Sequence, residues 1–253
     1  MQAFPKASKK NVASANLAQS PLTAGELLQA DISQLAPRDR ILRTALILFN
    51  QKGVHRTGTD LIIEQAGVAK MTFYRLFESK ARLIAECLRL RDGEWFSLLR
   101  KHIERHKNPE LRVLALFDAF EEWFRQPDYA GCPFIRGLYD FNIEEDDSEI
   151  VGVIQTHFAA IQDLLTELLK AARPKDYAAI APLFMSLLSG SIVVAQVTGK
   201  SDIARINREQ AEALLKAKPK RSKAYFALRP RSENFPFDAR GNRAVPSTSA
   251  LRT

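Results

Sequence analysis

Residues 57–80 read TGTDLIIEQAGVAKMTFYRLFESK, and the reading of this stretch decides the fold. Two short segments with helical spacing of apolar residues flank Ala66, Gly67 and Val68. The first, Asp60–Ala66, gathers Leu61, Ile62 and Ala66 on one side, with Thr59 as its expected N-cap. Asp60 falls in its first turn, where the helix dipole favours negative charge. The second begins near Ala69 or Lys70 and carries Met71, Thr72, Phe73, Tyr74, Arg75 and Leu76. Between them Gly67 supplies the positive φ of a tight turn, and Val68 fills the angle between the helices. Two short helices joined in this way form a helix-turn-helix. Its second helix enters the major groove of duplex DNA with its N-terminal end against the bases.

Upstream, Pro37 marks a helix start, and Ile41, Leu42, Ala45, Leu46, Leu48 and Phe49 recur at helical spacing. Gly53 is placed to end that helix in a left-handed conformation. Downstream, Ser79 is the expected cap of a long fourth helix passing through Leu83, Ile84, Cys87 and Leu88 toward His106. Pro109 opens a segment with Val113, Leu116, Phe117, Phe120 and Phe124 on its apolar side. After a break at Gln126–Gly131, Cys132–Phe141 is apolar on most sides and is expected to be buried. The acidic run Glu144–Glu149 reads as a solvated loop or the start of the next helix, which spans 148–172 and stops before Pro174. A further helix at 176–197 is apolar nearly all round, and Pro182 within it implies either a kink or a start near residue 181. An amphipathic helix at 202–215 closes the series. No alternating strand pattern competes, so the fold class is all-α, with a three-helix N-terminal module and a helical body.

The charge is unevenly distributed. Of the net +8, residues 37–91 hold +6, residues 92–215 hold −7 and residues 216–253 hold +8. An acidic body carrying a compact basic segment argues against a protein that coats nucleic acid along its whole surface. It points instead to a dedicated phosphate-facing module. Residues 1–36, rich in Ala, Ser, Gln and Lys, read as a flexible arm in which Leu22–Leu35 holds at most a weak helix. Residues 217–253, rich in Lys, Arg, Pro and Ser, read as a basic disordered tail. The remaining divisions are 37–83 for the helix-turn-helix module and 84–216 for the body. No uninterrupted apolar run of about 18 residues is evident, so no membrane span is expected. Cys87 and Cys132 are isolated, which offers no disulfide framework and fits a reducing cytoplasm.

The pattern from Gly53 to Lys80, together with Leu48 and Phe49 before it and Leu83 and Ile84 after it, resembles the DNA-binding domain of the tetracycline-repressor (TetR) family. Gly131-Cys132-Pro133-Phe134 and the helices after it are similar to one branch of that family. The resemblance implies a regulator that binds double-stranded DNA as a homodimer and responds to a small-molecule effector, with repression the usual mode. It also implies that the body is a ligand-binding and dimerisation domain, the last two helices forming a four-helix interface, and that the fourth helix links the two activities. Lys70, Met71 and Thr72 stand where the family faces base edges. Lys70 can donate to guanine O6 and N7, and the methyl groups of Met71 and Thr72 can touch thymine methyls. Tyr74 matches a tyrosine that reaches the DNA backbone or a thymine methyl, and Lys80 a lysine that holds a phosphate beside helix amides. Thr57 and Thr59 match backbone contacts. Leu76 departs from the pattern, since many members carry His there, and Arg75 is the residue placed to compensate.

Within the body, Phe117, Phe120, Phe124, Phe134, Tyr139, His157, Phe158 and Met185 are the candidates for an apolar cavity with a few polar handles. The small residues Ser186, Ser189, Gly190 and Ala195 suit close packing of helix 176–197 against a second subunit. Two other function classes compete with a regulator. One is an enzyme whose site is assembled by the fold; the other is a nonspecific nucleic-acid scaffold that uses the basic tail. No phosphate loop or nucleophile motif is present, and no cofactor is implied. His102 and His106 lie one helical turn apart and can share a metal, but Glu104 points to another face and no third ligand is evident. Two exposed side chains near a helix end are the plainer reading.

Overall fold

The computed structural model describes residues 22–141 and 148–217, and every described regular element is helical. Helices α1 (Ala24–Gln29), α2 (Pro37–Lys52), α3 (Thr59–Ala66) and α4 (Lys70–Phe77) precede the long α5 (Lys80–Ile103). The body adds α6 (Pro109–Phe124), α7 (Pro133–Asp140), α8 (Ser148–Ala172), α9 (Tyr177–Thr198) and α10 (Ile203–Lys216). In the body α6 is central, packing on α5, α8, α9 and α10, while α9 lies against both α8 and α10. One continuous hydrophobic core runs from Ala24 to Leu215, threaded by α5.

Local chemistry sets the helix ends. Ser79 accepts a hydrogen bond from the Arg82 amide at 3.1 Å and starts α5, and Asn108 caps α6 by accepting from the amides of Glu110 and Leu111. Gly67 takes φ 61°, ψ 44°, the left-handed conformation that the turn requires. Gly53 ends α2 differently from expectation. Its φ of 82° comes with ψ of 163°, a positive-φ extended conformation that suits glycine and throws the chain outward instead of curling it. Thr59 is the first residue of α3, not its cap: Gly58 takes the cap position and no side chain bonds there. Pro182 neither delays nor ends α9, which runs from Tyr177 through it.

The stretch read as a flexible arm is partly ordered. Thr23 and Glu26 form a reciprocal capping box at α1, and Ala24 and Leu27 are fully buried against α2 and α5. A six-residue helix has no stability of its own in water, so the apolar contact with the following helices fixes it. Residues 1–21, the tail from residue 218 onward and most of the acidic run (144–147) lie outside the described residues.

Helix α9 carries no charged residue from Tyr177 to Thr198 and is, by length and composition, the described helix apolar enough to cross a membrane. Its Ser, Gly and Gln residues interrupt the apolar run, which hid this in the sequence. One third of its most apolar window is buried, and Leu183, Val193, Val194 and Val197 are exposed.

Candidate nucleic-acid interface and internal cavity

Helix α4 is held from below by Phe73 and Phe77, both fully buried, with ring centroids 6.1 Å apart. The guanidinium of Arg38 lies 5.1 Å over the Phe77 ring and pairs with Glu86 on α5, so the far end of α4 is clamped to both neighbouring helices. This anchoring turns Lys70, Met71, Tyr74 and Arg75 outward. Met71 is 80 % exposed, an unusual position for a large apolar side chain that has no surface to cover. Tyr74 packs edge-on to Phe73 at 5.2 Å and keeps its hydroxyl end free of any hydrogen bond among the described residues. Lys70 pairs with Asp60 at 3.2 Å; both ends are exposed, so the pair is weak and a phosphate or base can replace it. Thr72 is half-buried. Lys80 is half-buried at the first position of α5, and burial lowers its pKa from the usual lysine value. Its charge is therefore under-solvated in a way that an approaching phosphate relieves.

Thr57 corrects an expectation. Its side chain is fully buried and its hydroxyl donates to the Gly53 carbonyl at 2.8 Å, closing the α2–α3 turn. A hydroxyl spent inside the turn is not free for a phosphate. Thr59 remains half-exposed beside it, and Arg56, which sequence reasoning passed over, stands exposed in the same turn. Leu76 is half-buried against the core, so this position is a packing position.

A cavity of about 770 Å³ lies behind this module. Its walls come from α1, the C-terminal part of α2, α5, α6, the loop before α7, and α7, α8 and α9. Among the candidates, Phe120, Phe134, His157, Phe158 and Met185 line it, whereas Phe117 and Phe124 do not. Phe117 packs inward on Phe184, with centroids 6.4 Å apart, and Phe124 lies among Phe120, Trp123 and Tyr129. The Tyr139 side chain lies outside the described ones. Sequence reasoning missed the indoles of Trp95 and Trp123, 4.8 Å apart, and the whole contribution of α1. Cys87 and Cys132 also line the cavity. Burial raises both thiols, Cys132 to about 11, so both stay protonated and unreactive at neutral pH.

The cavity sits against the helix-turn-helix module. Leu46, Phe49 and Val54 form part of its wall, and Asn50 donates to the Asp128 carbonyl at 2.9 Å. His55, in the α2–α3 turn, bonds the Asp140 carbonyl at 2.5 Å and packs on Phe141. Arg89 on α5 pairs with Glu149 on α8 at 2.8 Å. Elsewhere the His102/His106 pair separates. His102 is buried, not exposed as expected, and bonds Glu122 at 2.7 Å, while His106 lies beyond the end of α5. The Glu122 carboxyl is held below its usual pKa, chiefly by the Lys101 hydrogen bond and then by His102. Among the described residues no three His, Cys, Asp or Glu side chains are grouped to hold a metal.

Residues 41–87 match the family described as bacterial regulatory proteins, tetR family. A Mycobacterium tuberculosis protein (strain H37Rv), named as an uncharacterized HTH-type transcriptional regulator, is 26 % identical over 200 residues. The match spans 74 % of this chain and 98 % of that one. Among solved structures, a TetR-family transcriptional regulator from Streptomyces coelicolor superposes with a TM-score of 0.66 at 23 % identity, covering 71 % of this chain and 88 % of its own. A TetR transcriptional regulator from Chloroflexus aurantiacus gives 0.63 at 18 % identity, covering 72 % and 95 %. These last two likenesses concern the fold. Taken with the sequence match and the outward face of α4, they mark residues 41–87 as a tetR-type DNA-binding module carried on a helical body of the fold seen in such regulators.

Proposed function

We propose that the protein binds a near-palindromic operator as a homodimer, acts as a repressor there, and is released when a small molecule fills the cavity. The observation that carries this reading is the position of the cavity. One wall is the end of α2, where Asn50 bonds the Asp128 carbonyl in the loop before α7, and His55 in the adjoining α2–α3 turn bonds Asp140 at the end of α7. A ligand that fits one arrangement of these helices better than another shifts the orientation of α4, and only such unequal affinity can couple the two sites. Helix α5, which lines the cavity and is tied to the α2–α4 module through Arg38 and Glu86, is the rigid link.

On the DNA side, Lys70, Met71 and Thr72 face the base edges, Tyr74 and Arg75 reach the backbone or a thymine methyl, and Lys80 and Thr59 hold phosphates. Dimerisation is supported by the stripe Leu183, Leu187, Gly190, Val194 and Val197, exposed at Leu183, Val194 and Val197 and half-buried between them. Its alternating spacing of four and three residues is that of a helix-pairing seam. Two α4 helices related by a two-fold axis then meet successive major grooves about one helical turn apart.

Titration of the protein against its own upstream DNA and a scrambled duplex, at several salt concentrations, tests the reading. Wild type should prefer the first, and Tyr74→Ala should lose about 5- to 30-fold of specific affinity, equivalent to roughly 1–2 kcal/mol. Lys80→Gln should instead weaken both duplexes alike and reduce the salt slope by about one. Equal binding of both duplexes by wild type at every salt concentration would remove the operator from the proposal.

A further inference from the structure

Of the buried polar side chains among the described residues (Thr44, Thr57, His102, His157 and Ser191), His157 is the one that lines the cavity. Its Nδ1 lies 2.6 Å from Asp92 Oδ1. A carboxylate only accepts, so Nδ1 carries a proton, and in the neutral form of the ring Nε2 is left as a lone-pair acceptor. No described residue donates to Nε2. The ring is fixed on every side: Phe134 stacks on its face at 3.6 Å with 3° between planes, and Phe96 and Phe158 meet it edge-on. A ring oriented in this way on the cavity wall offers a fixed acceptor to a donor in the cavity.

The cationic side chains on the wall are already engaged. Arg91 pairs with Glu94 at 3.1 Å, Lys101 with Glu122 at 2.8 Å, and Arg136 donates to the Phe49 and Ala130 carbonyls. The remaining surface is largely aromatic, with Trp95, Phe120 and Trp123 in edge and tilted contacts near 5–6 Å. These contacts favour a flat π-system laid among them.

From this we infer that the cavity takes an uncharged, planar aromatic molecule bearing a hydroxyl donor, a phenol in chemical class. The phenol donates to His157 Nε2, and Asp92 is the positioning residue that sets the acceptor tautomer. The inference rests on reading the cavity as the effector site.

The test compares 2-naphthol, 2-methoxynaphthalene and 2-naphthoate as probes. Binding is followed by quenching of Trp95 and Trp123 and by calorimetry, with DNA binding measured on the same preparation. Wild type should bind 2-naphthol about tenfold more tightly than the methoxy analogue, since one neutral hydrogen bond separates them. His157→Phe keeps the stacked ring but removes the acceptor. It should lose that preference while its affinity for 2-methoxynaphthalene changes less than about twofold. Nitrogen-15 spectra of histidine-labelled wild type supply a readout that needs no variant. His157 should show protonated Nδ1 and bare Nε2 when free, and the Nε2 resonance should move on adding 2-naphthol. Equal affinity for the hydroxy and methoxy probes, tighter binding of 2-naphthoate, a protonated Nε2 in the free protein, or binding of none of the probes would each overturn the inference. Retained DNA binding in those cases leaves the regulator reading standing and places the failure in the ligand class alone.

Discussion

Leu183→Glu combined with Val194→Glu should yield a well-folded monomer whose affinity for a two-half-site operator is about 100-fold or more below wild type. Both side chains are exposed in the single chain, Leu183 by 48 % and Val194 by 40 %, so charging them removes little that the isolated fold uses. Surface substitutions of this kind usually change stability by less than about 0.5 kcal/mol. Across a symmetric interface the same changes place four carboxylates in an apolar seam, where each must be desolvated beside like charges. The operator then meets two separate chains in place of one linked pair. Joining two binding modules multiplies affinity by about 10²–10⁴ through effective concentration, and that factor is what the variant forfeits. Sedimentation velocity and operator titration read the two halves of this expectation. A variant that still sediments as a dimer at micromolar concentration would show that α9 is not the seam. A monomer with undiminished operator affinity would separate DNA binding from dimerisation.

How much of the molecule is legible in its sequence depends on the range of the forces involved. Helices such as α8 follow from periodicity within one segment, and the expected span 148–172 matches the observed one. Caps at Ser79 and the left-handed turn at Gly67 are equally local. Helix α1 shows the limit. Its T-x-x-E capping signature is written at Thr23 and Glu26, but six residues form a helix only when α2 and α5 bury Leu27 and Ala24, a contact no local pattern announces. Phe117 and Phe120 sit one turn apart on one apolar helix face, yet only Phe120 borders the cavity. Which aromatic meets a void is fixed by how the surrounding helices converge. Likewise, the partnership of His157 with Asp92 crosses 65 residues, and the inward hydrogen bond of Thr57 to Gly53 depends on the shape of the turn, which no local pattern shows. The outward placement of Lys70, Met71, Tyr74 and Arg75 follows from the helix itself, since Phe73 and Phe77 take its inner face.

Phe73→Ala should abolish specific DNA binding at ambient temperature while leaving the body of the protein folded. Phe73 is fully buried, and with Phe77 it is one of the two buried residues of α4. Truncating a buried phenylalanine costs about 3–5 kcal/mol through lost transfer free energy and the cavity left behind. The loss falls on an eight-residue helix that is too short to persist without its apolar anchor. Tyr74 also loses the ring that orients it, since its edge contact is with Phe73. The cost is therefore concentrated in α4 and its packing on α2, α3 and α5, whereas α6 and α8 are not among its main neighbours. Circular dichroism should show a small loss of helix at 25 °C, and hydrogen exchange should show α3 and α4 losing protection while α6 and α8 keep theirs. Phe73→Leu, which refills most of the volume, should restore α4 and recover most of the binding. If Phe73→Ala melts in one transition with α4 and α6 losing protection together, the continuous core transmits the damage throughout. The helix-turn-helix would then be no independent unfolding unit but one end of a single cooperative block.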